Sequence, residues 1–410
     1  MIPPFDLHDI IMSFISNFKD LMSWRHTCKS TFHDYTASFY CSKMYRFIKT
    51  PLINITDDTN LNLLNTRTYA ESIIISKYMI QDEDLINLKN ITYLKFYNTY
   101  GYCLTSKIFN HLPKLKTLIC NNVTFLNDQA LSQLTNLTYL NCQNNPYLNI
   151  SVSIKNLTKL ITLIVDNVYE QDKINYIPLI NLTYLVAKNT GIHPSISKIL
   201  PKLSIINCDN YQYDDKHIMN LYNLSTLICG KKCRFTDNAF KNLTKLNVLK
   251  IYNSFVDISD ILISTLVNLT DLNCGNTQIS DNAFKTLNKM KILQCEDNLI
   301  ITDISLQYMP NLIEFRCGRN TNFTDNGVSK LINLTLLDCG SNLNITNVTL
   351  CSLPKLTALA CGFNRNFKEE ILHISSQLEK LSWIYINNEE NDTFTKFLKS
   401  IKCKIIEISN

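Results

Sequence analysis

The sequence predicts an α/β repeat solenoid, a horseshoe with a parallel sheet on its concave face, preceded by a small all-helical module. Three observations carry this expectation. An eleven-residue pattern recurs along most of the chain, each copy ends in a strand-like alternation, and the pattern is absent before residue 50. At 410 residues the chain exceeds what one compact core ordinarily holds, which favours a repeat array or several domains.

The helical module comes first in the chain. Ile10, Ile11, Phe14, Ile15 and Phe18 fall on one helical face. A second helical pattern starts at Asp20-Leu21, with Trp24 and Cys28 on its apolar side, and Phe32, Tyr35, Phe39 and Tyr40 add aromatics. The expected organisation is a helical module over 1–49, a connector over 50–66 containing Asp57, Asp58, Thr59 and Asn60, and the solenoid over 67–410. A degenerate first unit surrounds Ile73 and Ile75.

The repeat follows. LTNLTYLNCQN from Leu134, LVNLTDLNCGN from Leu266 and LINLTLLDCGS from Leu331 share the form L-x-x-L-x-x-L-x-C-x-N, whose positions are numbered one to eleven. Position one falls at Leu88, Leu112, Leu134, Leu157, Leu179, Leu200, Leu221, Leu243, Leu266, Leu287, Met309, Leu331, Leu353 and Leu378, a period of about 22. Positions seven and nine alternate with polar neighbours, so a short strand puts both on the buried face and leaves six, eight and ten outside. A single unit cannot bury its apolar edge; stacked units can. Beyond the strand, Thr236-Asp237, Ser280-Asp281, Thr302-Asp303 and Thr324-Asp325 precede short apolar runs, the residue types that cap helix N-termini.

Nine of the 15 cysteines occupy position nine: Cys120, Cys142, Cys208, Cys229, Cys274, Cys295, Cys317, Cys339 and Cys361. Other units place Phe96, Val165, Ala187, Ile251 and Ile386 there, so this column reads as a small apolar core element. No two pairs of cysteines show metal-ligand spacing, and no cofactor is expected. Asn98, Asn144, Asn189 and Asn276 stand at position eleven, whereas Asn298, Asn320, Asn342 and Asn364 stand at twelve. A stacked asparagine column would hydrogen-bond neighbouring turns. The N-x-S/T triplets at Asn136 and Asn268 are by-products of this repeat.

The period and leucine spacing are the leucine-rich-repeat signature. The Thr-Asp step resembles the cysteine-containing class of these repeats, although the cysteine here sits in the strand. The segment from Asp9 to Ser30 resembles an F-box: Asp9-Ile10-Ile11 matches its acidic-apolar start, Phe14 and Ile15 its apolar helix, and Asp20-Leu21 and Cys28-Lys29 its second helix. Pro3 and Pro4 lie several residues before the family's Leu-Pro, and Phe32 stands one residue late. A helical cap over the first open edge of the solenoid would show the same apolar face.

The resemblance implies a substrate-receptor subunit of an SCF-type ubiquitin ligase. Ile10, Ile11, Phe14, Ile15, Phe18 and Leu21 would dock the adaptor subunit, and through it a cullin. The concave face would hold a target protein, with Tyr93, Tyr139, Tyr184, Glu314, Arg316, Arg319, Asp338, Phe363, Trp383 and Tyr385 as candidates, types that dominate binding hot spots. Gly230, Gly275, Gly318, Gly340 and Gly362 at position ten would open that surface. The alternative is a stand-alone interaction scaffold with a helical cap.

Catalysis is not expected, since no P-loop, zinc-protease motif or nucleophile elbow occurs. A net charge of +5 is too small to argue for nucleic acid. No apolar run is long enough to span a membrane. The first residues, MIPPFDLHDI, lack a basic region before an apolar core, so a cytoplasmic or nuclear monomer is expected. The richness in Asn, Ile, Lys and Tyr resembles proteins of AT-rich genomes such as those of large DNA viruses, and a viral receptor would act in the host cell.

Overall fold

The computed structural model describes residues 52–55, 71–76, 80–96, 104–123, 125–145, 148–166, 178–189, 194–208, 212–252, 257–318, 320–340, 342–361, 366, 380–382 and 404–405. The expected helical module lies outside them. The chain divides into two compact units, Met1–Leu182 and Thr183–Asn410.

The first unit carries β1 (Leu52–Ile55), β2 (Ser72–Ile75), β3 (Tyr93–Phe96), β4 (Thr117–Ile119), β5 (Tyr139–Asn141) and β6 (Thr162–Ile164), each parallel to the next. The second carries β7 (Tyr184–Val186), β8 (Ile205–Asn207), β9 (Thr226–Ile228), β10 (Val248–Lys250), β11 (Asp271–Asn273), β12 (Ile292–Gln294), β13 (Glu314–Arg316), β14 (Leu336–Asp338), β15 (Ala358–Ala360), β16 (Lys380–Ser382) and β17 (Lys404–Ile405). These too pair in chain order and in parallel. Two boundaries differ from the sequence expectation. β1 lies in the stretch read as a connector and pairs with β2. In the last full unit, Lys380 and Leu381 register with Ala358 and Leu359, so Leu378 stands at position four rather than one.

Positions one, four, seven and nine form the core. In one unit Leu287, Met290, Leu293 and Cys295 are all fully buried, and each such large side chain contributes roughly 1.5–3 kcal/mol of gross driving force. The cysteine column is buried as the apolar reading requires, and its members are thiols. Their Sγ–H groups point to the next strand: Cys120 donates to the Asn141 carbonyl at 3.4 Å and Cys229 to that of Lys250 at 3.5 Å. Burial pushes the Cys274 thiol up to about 12 and also raises those of Cys120, Cys295, Cys317, Cys339 and Cys361, so these six sulfurs stay protonated.

Neighbouring units are tied by three polar columns. The first is buried. Asn320 Nδ2 donates to the Asn298 and Ile301 carbonyls, at 2.5 and 3.2 Å, and its Oδ1 accepts from Asn322 N. Asn342 repeats this one unit on, toward Asn320 and Phe323. Asn298, Asn320 and Asn342 thus make the expected column at position twelve, and Asn364 lies outside the described residues. Those at eleven do something else: Asn122, Asn144, Asn189 and Asn276 adopt left-handed backbone, φ between 52° and 56°, which turns the chain off the strand.

The second column joins the helical turns. Thr302 caps the turn Asp303–Leu306 by accepting from Ile304 N at 3.2 Å. The aspartate of the Thr-Asp step does not cap its own turn. It reaches forward, so that Asp281 receives both the amide and the hydroxyl of Thr302, at 2.8 and 2.7 Å. Asp215, Asp237, Asp303 and Asp325 grip Thr236, Ser259, Thr324 and Thr346 in the same way. Burial pushes the Asp325 carboxyl up, but hydroxyl and amide bonds from Thr346 and Thr349 outweigh it and hold the group below its ordinary value. A depressed carboxylate stabilises the fold above its unfolded pKa and loses that contribution as pH falls through the folded one. Asp325→Asn is therefore expected to flatten the acid limb of stability against pH, read as urea midpoints across the acid range.

The third column is exposed and alternates in type. Position three reads Asn90, Lys114, Asn136, Lys159, Asn181 in the first unit, and Lys202, Asn223, Lys245, Asn268, Lys289, Asn311, Asn333, Lys355 in the second. Lys114, Lys159, Lys245, Lys289 and Lys355 donate to Asn90, Asn136, Asn223, Asn268 and Asn333 at 2.6–2.8 Å. The asparagine amides bond backward, as from Asn136 to the Pro113 carbonyl and from Asn268 to that of Thr244.

Candidate functional site: the open face of the sheet

In β4–β6 and in β8–β15 the central residue is buried and its two neighbours are half-exposed on the opposite face. Positions six and eight therefore line one open face, as the alternation predicts. In the first unit this face carries Tyr93 and Tyr139, with Thr117 of β4 between them in register. Tyr184 stands on the second unit at the start of β7.

Across the second unit the face changes character. Ile205, Ile228 and Val248 make a half-buried apolar pad on β8 to β10. Beyond it the surface is charged. Lys250 Nζ lies 3.4 Å from Asp271 Oδ2, and Asn273 Nδ2 donates to Gln294 Oε1 at 2.7 Å. Arg316 and Asp338 are register partners, with a guanidinium nitrogen 4.0 Å from Asp338 Oδ2. Two atoms here, Asp271 Oδ1 and Arg316 Nε, are buried with no protein hydrogen-bond partner among the described residues.

The carboxylates are not fully compensated. Burial and then the neighbouring Asp338 charge push the Glu296 carboxyl up, and Arg316 only partly offsets them. Burial also pushes Asp338 up, against a bond from the Gly340 amide at 3.1 Å and the charge of Arg316.

Glycines at position ten serve the backbone rather than clearing the surface. A Cβ on Gly275 would sit 2.8 Å from the Glu296 carbonyl oxygen. Gly318 and Gly340 have φ of +56° and +49°, and a Cβ on Gly340 would sit 2.8 Å from the Gly318 carbonyl.

Of the ten candidates on this face, the structure brings Glu314, Arg316 and Asp338 together, on adjacent strands. Tyr93 and Tyr139 share the first unit. Arg319, Phe363, Trp383 and Tyr385 lie outside the described residues, as do Ile10, Ile11, Phe14, Ile15, Phe18 and Leu21. The register of β16 assigns Lys380 and Ser382, not Trp383 and Tyr385, to positions six and eight. Lys250, Asp271 and Glu296 were missed. The signal for Glu296 was present: a charged residue interrupts the glycines of position ten.

Among the described residues no group of three or more His, Cys, Asp or Glu is arranged to hold a metal, and no helix is long and apolar enough to cross a membrane.

No protein-family model matches the chain, and no curated protein matches it. Solved structures do. An internalin (inlF) from Listeria monocytogenes aligns with a TM-score of 0.50 and 27% identity, covering 67% of this chain and 82% of the internalin. A chain of the Toll–Spatzle complex of Drosophila aligns with a TM-score of 0.50 and 14% identity, covering 82% of this chain and 50% of that one; the glycosylated form gives 0.52. This chain thus spans about half the length of its Toll–Spatzle match. With a buried Leu–Cys core and parallel strands one unit apart, this likeness establishes the fold as an α/β leucine-rich-repeat solenoid.

Proposed function

We propose that the chain is a non-catalytic binding scaffold whose open sheet face holds a protein partner. One observation carries the reading: rows of half-buried apolar and charged side chains face solvent in register, and two of their polar atoms are buried without a hydrogen-bond partner among the described residues. Such a face supplies both desolvated area and unspent hydrogen-bonding capacity. The complex of Toll with Spatzle offers a parallel on a related fold.

The finer proposal is a substrate receptor of an SCF-type ubiquitin ligase, acting in the cytoplasm or nucleus. It is supported by Asp9-Ile10-Ile11, Asp20-Leu21 and Cys28-Lys29 in the sequence. In this role the chain performs no chemistry and raises the local concentration of a target near the conjugating enzyme. Co-precipitation of the full chain with the ligase adaptor tests it. Wild type is expected to capture the adaptor, and Ile11→Asp or Phe14→Asp to abolish capture. Failure of the wild type removes the ligase role and leaves the scaffold.

A further inference from the structure

We infer that the second unit's sheet face docks an extended cationic segment of a protein, with an Arg or Lys seated between Glu296 and Asp338 and an apolar residue on the pad at Val248. This rests on the scaffold reading and names the chemistry of its partner.

Charge is the first argument. The whole chain is net positive at +5. Among the described residues on the open face of β10 to β14 and the turns just beyond, Asp271, Glu296, Asp297, Glu314 and Asp338 outnumber Lys250 and Arg316; Arg319, which follows Gly318, lies outside the described residues. A cationic segment is attracted to this band more than to the chain at large.

The local geometry is the second. Glu296 leans over Gly318: a Cβ there would lie 3.1 Å from Glu296 Cγ. That is the side on which Arg316 and Asp338 stand, and the Asp338 charge acts on Glu296. One guanidinium, 4.0 Å from Asp338, serves both carboxylates. With glycine at 318 and 340, no side chain from either position screens them. A partner's ammonium or guanidinium adds countercharge between them.

The third argument is spacing. The acidic group lies three strands from Val248, about 14 Å, and about three residues further along the strand direction, about 10 Å, so the two are about 17 Å apart. About five extended residues cross that distance. The matching segment reads apolar, four residues of any type, then basic.

Keeping these carboxylates costs the fold. Acids whose pKa is raised on folding favour the folded state at low pH and lose that advantage as pH rises through the raised values. Residues kept at such a cost are characteristic of binding surfaces.

The test uses the full chain and two fluorescein-labelled decapeptides on a Gly-Ser background. One carries Leu and, five residues on, Arg-Lys; the other replaces Arg-Lys with Asp-Glu. Fluorescence anisotropy is expected to show binding of the cationic peptide alone, weakening as salt rises. Glu296→Gln and Asp338→Asn are each expected to weaken it about tenfold, while thermal unfolding shows no loss of stability at neutral pH. Ile261→Ala, exposed on the helical turn Asp260–Thr265, is expected to leave binding unchanged. Equal binding of both peptides, no binding of the cationic one, or unchanged affinity in both amide variants overturns the inference. If the acidic peptide binds instead and Ile228→Arg abolishes that binding, the inference fails while the scaffold reading stands.

Discussion

Asn320→Ala is expected to destabilise the second unit by about 3 kcal/mol, since three backbone groups lose their partner at roughly 1 kcal/mol each. The side chain is fully buried. Its amide bonds to the Asn298 and Ile301 carbonyls, and its oxygen accepts from Asn322 N. The loss also spreads along the column, because Asn342 donates to the Asn320 carbonyl at 2.7 Å, in a turn that Asn320 itself holds in place. Urea unfolding should show a lower midpoint, and hydrogen exchange should show faster opening at β12 to β14 than at β8. A shift below about 0.5 kcal/mol, the range of ordinary surface substitutions, would contradict the assigned role.

Gly340→Val is expected to be worse, at about 3 kcal/mol or more, by two separable routes. A β-branched residue at φ of +49° occupies backbone space it rarely adopts. Its Cβ also meets the Gly318 carbonyl carbon and oxygen, both at 2.8 Å, and backbone cannot swing aside as a long side chain can. Gly340→Asn separates the routes. Asparagine tolerates the left-handed region, so any loss that remains reports the collision. Comparing the thermal midpoints of the two variants with wild type measures both terms.

Much of the fold was legible because the core is written in periodicities. Leu at one, four and seven and Cys at nine fall on one side of a chain that returns every unit, and those among the described residues of Leu88 to Cys361 are buried. What was not legible depends on the neighbouring unit. The Thr302 cap is local and could be read; the grip of Asp281 on Thr302 crosses to the next unit and could not. Position-ten glycines looked like surface clearance because the opposing carbonyl is invisible in sequence. The last unit slipped by one leucine step because Leu378 and Leu381 both satisfy the same spacing, and pairing with Leu359 decides between them. β1 was missed because Leu52–Ile55 follows Pro51 with no leucine pattern before it. On the open face, Glu314, Arg316 and Asp338 were found because strand alternation names them, and their union followed from register. Glu296 lies just past the strand end, where alternation stops ruling direction.

The Asn–Lys alternation at position three imposes a parity on this chain. Each lysine needs an asparagine beneath it, and each such asparagine sits between lysines wherever the rule holds. Within an alternating run, losing a single unit would set lysine against lysine or asparagine against asparagine, whereas losing two would restore every bond. Asn311 beside Asn333 is the like pair where the count resets, and there the loss of one unit would restore the alternation. Away from that point, this column keeps its bonds when the solenoid grows or shrinks in steps of two.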